Sequence, residues 1–203
     1  MRLTTEAAKE VFVDELTKTN RPGMDKVIAG LEEIGFFTAP ASSKHHLAEP
    51  GGLLRHSVNV YMQALSIRSA EIEIRPEIEE KVPLESIAVA ALLHDVCKAE
   101  VYKVVEKFRK DKDGKWEKYN AYDQDYSAMP LGHGEKSVIR LLRMGLKLTN
   151  DELLAIRWHM ANWDMPESFE ARGNFNAACE KCPLLSIIIA ADELATRITE
   201  VKS

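Results

Sequence analysis

The segment IAVAALLHDVCK, Ile87 to Lys98, constrains the fold more than any other. Seven consecutive apolar residues, Ile87 to Leu93, run directly into His94 and Asp95. A stretch that is apolar on every side has to be enclosed by other elements, and whatever encloses it encloses an ionisable pair as well. An ionised carboxylate taken from water into a dry core costs several kcal/mol even after relaxation, unless a partner charge compensates it. Lys98, three residues further on, is one such partner.

The pattern recurs in LLSIIIAADELAT, where Ser186 is the only polar interruption before Asp192. Two carboxylates at the far ends of apolar helices ask for a common cation. His56, in GGLLRHSVNVYMQAL, shares a strip with Val60 and Ile67; His133 lies between glycines in PLGHGEKS; His159 follows Ala155 and Ile156 by one turn in LLAIRWHM. With His94 these are four of the six histidines. Neutral imidazoles mixed with carboxylates are the usual ligands of first-row divalent metals such as Mn, Fe, Co, Ni or Zn, whereas Ca and Mg prefer oxygen alone. The set therefore selects a divalent transition metal, as one ion or two. Each residue taken singly also reads as a satisfied core histidine or a salt-bridged carboxylate.

Elsewhere apolar residues recur at three- and four-residue intervals, the period of helices. The spacing predicts helices at 4–18, 24–35, 52–73, 84–99, 135–146, 150–161 and 183–200, with Thr149 and Glu152 as a capping box and Pro183 in a first turn. The exception is VYKVVEKFRKDKDGKWEKYNAYD, where polar and β-favouring residues flank Asp113-Gly114 and predict a β-hairpin inserted at 101–126. No linker-like tract divides the chain, so the expectation is one domain over 1–203, with 1–50 as N-terminal helices and loop packed on the core: an all-α bundle with a small inserted hairpin.

A net charge of −5 argues against broad electrostatic binding to nucleic acid or anionic membrane. The apolar runs are too short to span a bilayer and the N-terminus lacks a signal peptide's apolar stretch, so a cytoplasmic location is expected. Three cysteines make no disulfide framework, and Cys179 and Cys182 read as structural thiols.

The order His56, His94-Asp95, His133, His159, Asp192 closely resembles the HD-domain superfamily of metal-dependent phosphohydrolases, most of all the HD half of certain bacterial 3′-to-5′ exoribonucleases and their stand-alone relatives. The similarity runs from FFTAPASSKHHLAEPGGLLRHS to AADELAT. It implies an all-helical HD fold in which His56, His94, Asp95 and Asp192 hold one metal. His133 and His159 would serve a second metal or the phosphate, and Asp95 would bridge. Lys98 matches the HDxxK lysine that approaches the substrate phosphate in many relatives, and so joins Asp95 in the catalytic set. His45 and His46 resemble a His-His element of the exonuclease branch; His46 and Lys136 are candidates for substrate contact. The implied activity is hydrolysis of a phosphate ester, in a nucleotide or related small phosphoester, by metal-activated water. The alternatives are a 3′-to-5′ exonuclease or phosphodiesterase on short single strands, and a nucleotide-sensing module without catalysis.

The chain departs from those relatives in two places. It has helix and loop where the exoribonucleases carry an OB-fold, which disfavours processive RNA degradation. It reads HMANWDMP where branches that cleave cyclic di-GMP carry Gly-Tyr-Pro. The hairpin interleaves Arg109, Lys110, Lys112, Lys115 and Lys118 with Phe108, Trp116 and Tyr119, a mix that can follow a single strand, but Glu106, Asp111, Asp113 and Glu117 dilute its charge. The expected partner is a small phosphorylated substrate such as a nucleotide, with nucleic acid less favoured and no membrane. Oligomeric state is left open.

Overall fold

The computed structural model describes residues 3–201, so the outermost positions of the expected domain, 1–2 and 202–203, lie outside the described residues. Helices α1 (Thr5–Lys18) and α2 (Met24–Glu33) lead to the long α3 (Gly52–Ile74), a single turn α4 (Ile78–Lys81) and α5 (Leu84–Leu93). A two-stranded antiparallel ribbon follows, β1 (Tyr102–Lys110) with β2 (Trp116–Gln124). Then come α6 (His133–Arg143), α7 (Asn150–Trp158), α8 (Phe169–Lys181) and α9 (Pro183–Leu194). The fold is all-α with one small hairpin, as its periodicities predict.

The apolar run becomes the centre of the bundle. Every residue of α5 from Ser86 to Leu93 is buried, and the helix is enclosed by α1, α3, α7 and α9. Enclosure on all sides is what its uniform apolarity requires, each Leu or Ile withdrawn from water stabilising the fold by about 1.5–3 kcal/mol. Phe12 of α1 meets Phe36 and Phe37, which follow α2, the latter edge-on at 5.5 Å between ring centres, and α1 itself packs on α3. A buried polar network also ties the bundle together: Glu152, wholly buried on α7, accepts from Arg21 at 2.8 Å and from Ser86 of α5 at 2.7 Å.

Several boundaries differ from the periodic reading. The helix expected over 84–99 stops at Leu93; Asp95 leaves helical geometry (φ −104°, ψ 17°), and Val96–Glu100 forms a 3₁₀ turn. The helix expected over 183–200 ends at Leu194 and passes into a π-turn, Ala195–Thr199. His133, read from sequence as a residue between glycines ahead of a helix at 135, is itself the first residue of α6. Gly134 beside it is required, since a Cβ there would lie 2.1 Å from the carbonyl oxygen of Arg157. Two helices, α4 and α8, fall outside the predicted set. α8 buries only Ala171 and Ala178, so its sequence carries little amphipathic signal, and Ser168 starts it by accepting from Ala171 N. Asp113-Gly114 does sit at the hairpin tip, but as part of the five-residue connection 111–115: Gly114 takes φ 79° and Asp111 accepts from both Asp113 N and Lys115 N.

The ribbon stands away from the bundle and neutralises itself. Arg109 pairs with Glu117 at 2.5 Å, Lys118 with Glu106 at 2.7 Å and Lys107 with Asp123 at 3.8 Å, while Phe108 and Trp116 are exposed. Among the described residues, no helix is long and apolar enough to cross a membrane.

Candidate metal centre

Two helices end on a histidine in the same way. His94 closes α5 and His159 closes α7, with nearly identical backbone angles (φ −56°, ψ −36° and φ −56°, ψ −33°). The last carbonyls of a helix lack intrahelical donors. Here each ring supplies one: Nδ1 of His94 donates to Ala91 O and Nδ1 of His159 to Ile156 O, both at 2.8 Å. A carbonyl oxygen can only accept, so Nδ1 carries the proton and each Nε2 is turned away from its helix. Both helices thus present the negative ends of their dipoles, with an imidazole nitrogen, to one point.

His56 reaches that point from α3. Its Nδ1 donates to Glu200, at 3.0 and 3.2 Å from the two carboxylate oxygens, and Asn59 holds the same carboxylate at 2.9 Å. Its Nε2 faces Asp192 Oδ1 at 3.2 Å and Asp95 Oδ2 at 3.5 Å. The Nε2 atoms of His56, His94 and His159 are all buried without a hydrogen-bond partner. Buried polar atoms left unsatisfied are uncommon and call for a missing partner.

Asp95 stands between these groups with its two oxygens facing different ways. Oδ2 lies 2.6 Å from Lys98 Nζ, 3.3 Å from His94 Nε2 and 3.5 Å from His56 Nε2. Oδ1 lies 2.6 Å from His133 Nε2 and 3.4 Å from His159 Nε2. Lys98 is therefore the direct compensation for the buried carboxylate, but it is one cation against three anions, Asp95, Asp192 and Glu200. Burial opposes ionisation of Asp95, yet Lys98, His94 and His133 hold its carboxyl well below the usual range. Asp192 and Glu200 are likewise held low against their burial, chiefly by His56. Burial also opposes a charge on His56, and Glu200, Asp192 and Asp95 overcome it, so its proton is held well above the usual imidazole range. His46 and His133 go the other way, pushed down by burial, His46 to about 4.

The donor set fits a transition metal. Ligand atoms of His56, His94 and Asp192 lie within 4.8 Å of one another, and so do those of His94, Asp95 and His159. Donors about 2.0–2.2 Å from a shared ion sit roughly 3.0–3.5 Å apart, which is the separation of the His56, His94, Asp95 and Asp192 atoms that face each other. A divalent cation, taking the place of the proton on His56, would also cancel the two negative charges that Lys98 leaves over.

The fold brings together His56, His94, Asp95, His159 and Asp192, with Lys98 against Asp95. His133 takes a different place: its Nε2 is hydrogen-bonded to Asp95, its Nδ1 is 3.4 Å from Cys97 Sγ, and it belongs to none of the close ligand groups among the described residues. Cys97, whose thiol burial pushes up to about 12, is a neutral neighbour there. His46 stacks near His56, 5.0 Å between ring centres, and lies 4.0 Å from Glu200. Lys136 is buried on α6 with its ammonium 4.5 Å from the Tyr126 ring centre. Glu200 is the residue that the sequence reading lacks. It lies 144 positions from His56, in a polar C-terminal stretch with no local pattern to mark it.

The centre opens into a cavity of about 740 Å³, whose walls include Lys98, His159, Asp192, Arg197, Asn162 and Trp163. No residue of β1 or β2 is part of that wall.

Residues 34–128 match a family model described as "Putative helicase". The match takes in the first part of the centre, His46, His56, His94, Asp95 and Lys98, and the ribbon, but covers fewer than half of the 203 residues. Comparison with curated proteins and with solved structures finds no match.

Proposed function

We propose that this chain is an HD-type metal-dependent phosphohydrolase acting on a nucleotide or a related small phosphoester. The observation that carries the reading is the set of three buried imidazole nitrogens, on His56, His94 and His159, that lack hydrogen-bond partners and face Asp95 and Asp192 at the floor of a cavity. His56, His94, Asp95 and Asp192 would hold a divalent transition metal, and the second oxygen of Asp95 with His159 offers room for another. Bound there, the metal supplies Lewis acidity toward a phosphoryl oxygen and lowers the pKa of water.

The side chains divide the remaining work. Lys98, kept protonated by Asp95 and lining the cavity, binds a phosphate oxygen and offsets charge that develops during displacement. Neutral His133 donates its Nε2 proton to Asp95 Oδ1 and fixes that carboxylate's second oxygen. Glu200 fixes the tautomer and direction of His56, and the Ala91 and Ile156 carbonyls do the same for His94 and His159.

The match to a helicase-described family favours a second reading, phosphodiester cleavage in short single strands. The 203 residues contain no G-x-x-x-x-G-K-[ST] phosphate loop, so they do not themselves supply a helicase motor of that type. Arg109 and Lys118 are already paired with the ribbon's own Glu117 and Glu106, which weakens it as a strand-binding track. The small phosphoester therefore remains the preferred substrate.

The test is metal analysis by emission spectrometry after reconstitution with Mn²⁺, Co²⁺, Ni²⁺ or Zn²⁺, followed by a panel of nucleotides and short oligonucleotides. The expected outcome is one or two ions per chain, and hydrolysis that chelator abolishes and metal restores. A folded protein that takes up none of these ions would overturn the reading; a preference for oligonucleotides would select the second one.

A further inference from the structure

We infer that Trp163 and Asn162 form a base-binding platform at the mouth of the cavity, so that the substrate is a phosphoester carrying a flat heteroaromatic group. The inference deepens the phosphohydrolase reading and rests on it only for where the phosphate lies. Of the two tryptophans of the C-terminal half, Trp158 ends α7 and Trp163 comes five residues later, and they have opposite environments. Trp158 is 8% exposed, packed against Phe175 and under Arg157, and belongs to the core. Trp163 is 78% exposed and lines the same cavity as Lys98, His159 and Asp192.

An exposed tryptophan is not by itself a site. Phe169 is more exposed still, yet it is not part of the cavity wall. What distinguishes Trp163 is the backbone that carries it. Ala161 adopts φ 45°, a left-handed conformation unfavourable for a residue with a Cβ, and it lies two residues after His159. Strain of this kind persists only where surrounding contacts over-determine it, and it concentrates at ligand sites. Those contacts are present. The 3₁₀ turn Ala161–Asp164 is fixed at one end by Trp163 N donating to Met160 O at 2.9 Å. At the other end Asp164 accepts from Gly134 N at 3.0 Å and from Arg157 at 3.4 Å. The indole is thus held out from the bundle by a pinned turn.

The wall chemistry fits one ligand class. Asp192, Glu193 and Glu200 repel a bare anion, and of the wall's two side-chain cations Arg197 is paired with Glu193 at 3.1 Å, which puts the phosphate at the floor beside Lys98 and a bound cation. The indole offers an apolar face at the mouth, and the exposed Asn162 beside it carries both a donor and an acceptor for a base edge. Base–aromatic stacking is worth about 1–3 kcal/mol, a 5- to 150-fold effect on binding.

The experiment compares AMP, GMP, CMP and UMP with ribose 5-phosphate, which keeps the phosphate and lacks the base, on metal-reconstituted full-length protein. Binding is read, in a Trp116→Phe background that keeps the buried Trp158, as the part of the fluorescence quenching that disappears with Trp163→Phe, and hydrolysis is followed separately. At least one nucleotide is expected to quench Trp163 and to bind more tightly than ribose 5-phosphate. Trp163→Ala, followed by calorimetry, should reduce that discrimination about 5- to 150-fold, and Trp163→Phe should restore most of it. If no nucleotide binds, if ribose 5-phosphate binds as tightly as all four, or if Trp163→Ala leaves the discrimination intact, the platform is wrong. Base discrimination that Trp163→Ala removes, without any hydrolysis, would uphold the platform and refute the phosphohydrolase reading. Hydrolysis without base discrimination would do the reverse.

Discussion

Replacing Glu200 by Gln tests the centre through a residue that acts on it by way of His56. The substitution keeps the shape of the side chain and removes its charge. In the parent, His56 Nδ1–H donates to Glu200 from 3.0 Å and Asn59 donates from 2.9 Å, with His56 and Glu200 both buried and Asn59 partly so. A hydrogen bond to a charged acceptor contributes about 1.5–3 kcal/mol and a neutral one about 0.5–1.5, so the imidazole loses roughly 1–2 kcal/mol of orienting energy. Groups that orient a ligating histidine typically govern metal affinity by about 10- to 100-fold, or 1.4–2.8 kcal/mol. The dissociation constant for Mn²⁺ or Co²⁺, measured by competition with a chromophoric chelator at pH 7.5, should rise by that factor. With metal in excess the stability gap between parent and variant should widen by the same free energy, since binding stabilises by mass action. The metal-free proteins should differ in pH dependence. His56 is raised in the folded state, so its protonation stabilises fully below about pH 6.5 and is lost as pH rises through the folded value; Glu200→Gln removes the strongest raising charge, so the total loss should be smaller and complete at lower pH. A folded variant whose metal affinity falls less than threefold would refute the orienting role of Glu200.

Three further expectations follow from particular contacts. Arg21→Ala leaves the wholly buried Glu152 with Ser86 but without its cation, and should cost about 3–5 kcal/mol in urea unfolding; a loss under 1 kcal/mol would show that water reaches the carboxylate. Gly134→Ala drives a methyl group against the Arg157 carbonyl and should separate α6 from α7, lowering the melting temperature and, through His133, the metal-dependent rate; an unchanged melting temperature would contradict the close approach. Tyr61→Phe removes a hydroxyl that donates to Glu15, whose carboxyl is held low by Lys18 and then Tyr61. It should cost about 1 kcal/mol at neutral pH, a penalty present above about pH 4.5 that fades as pH falls through the lowered value of Glu15; a pH-independent penalty would point to packing instead.

Much of the architecture is local and therefore legible in sequence. The run Ile87–Leu93 has no polar face, so only a central helix could accommodate it, and the 3.6-residue repeats elsewhere locate α1, α2, α3, α6, α7 and α9. The same patterning names the residues of the centre, because a carboxylate or imidazole at the end of an apolar helix is conspicuous among its neighbours. Where local signals are weak, the reading fails: α8 presents almost no apolar stripe, and it is helical because a serine cap and contact with α9 make it so. The ends of α5 and α9 fail for another reason. Periodicity continues through His94 and Asp192, but the backbone departs from the α-helix just beyond each, at Asp95 and Ala195, where side chains turn toward a point shared with α3 and α7.

Only the tertiary structure decides which atom of each side chain meets which partner. The direction of each Nε2 depends on where Nδ1 finds an acceptor, which for His94 and His159 is a carbonyl three residues back and for His56 is Glu200, 144 residues away. Trp158 and Trp163 differ by five positions and have opposite fates, because α7 ends between them and the left-handed residue Ala161 takes the chain out of helical geometry. Sequence sets the residue types that can meet in a dry interior, since burial is costly for each charge alone. Their pairing is fixed by helix ends that converge from distant parts of the chain, and convergence of that kind leaves no period in the sequence.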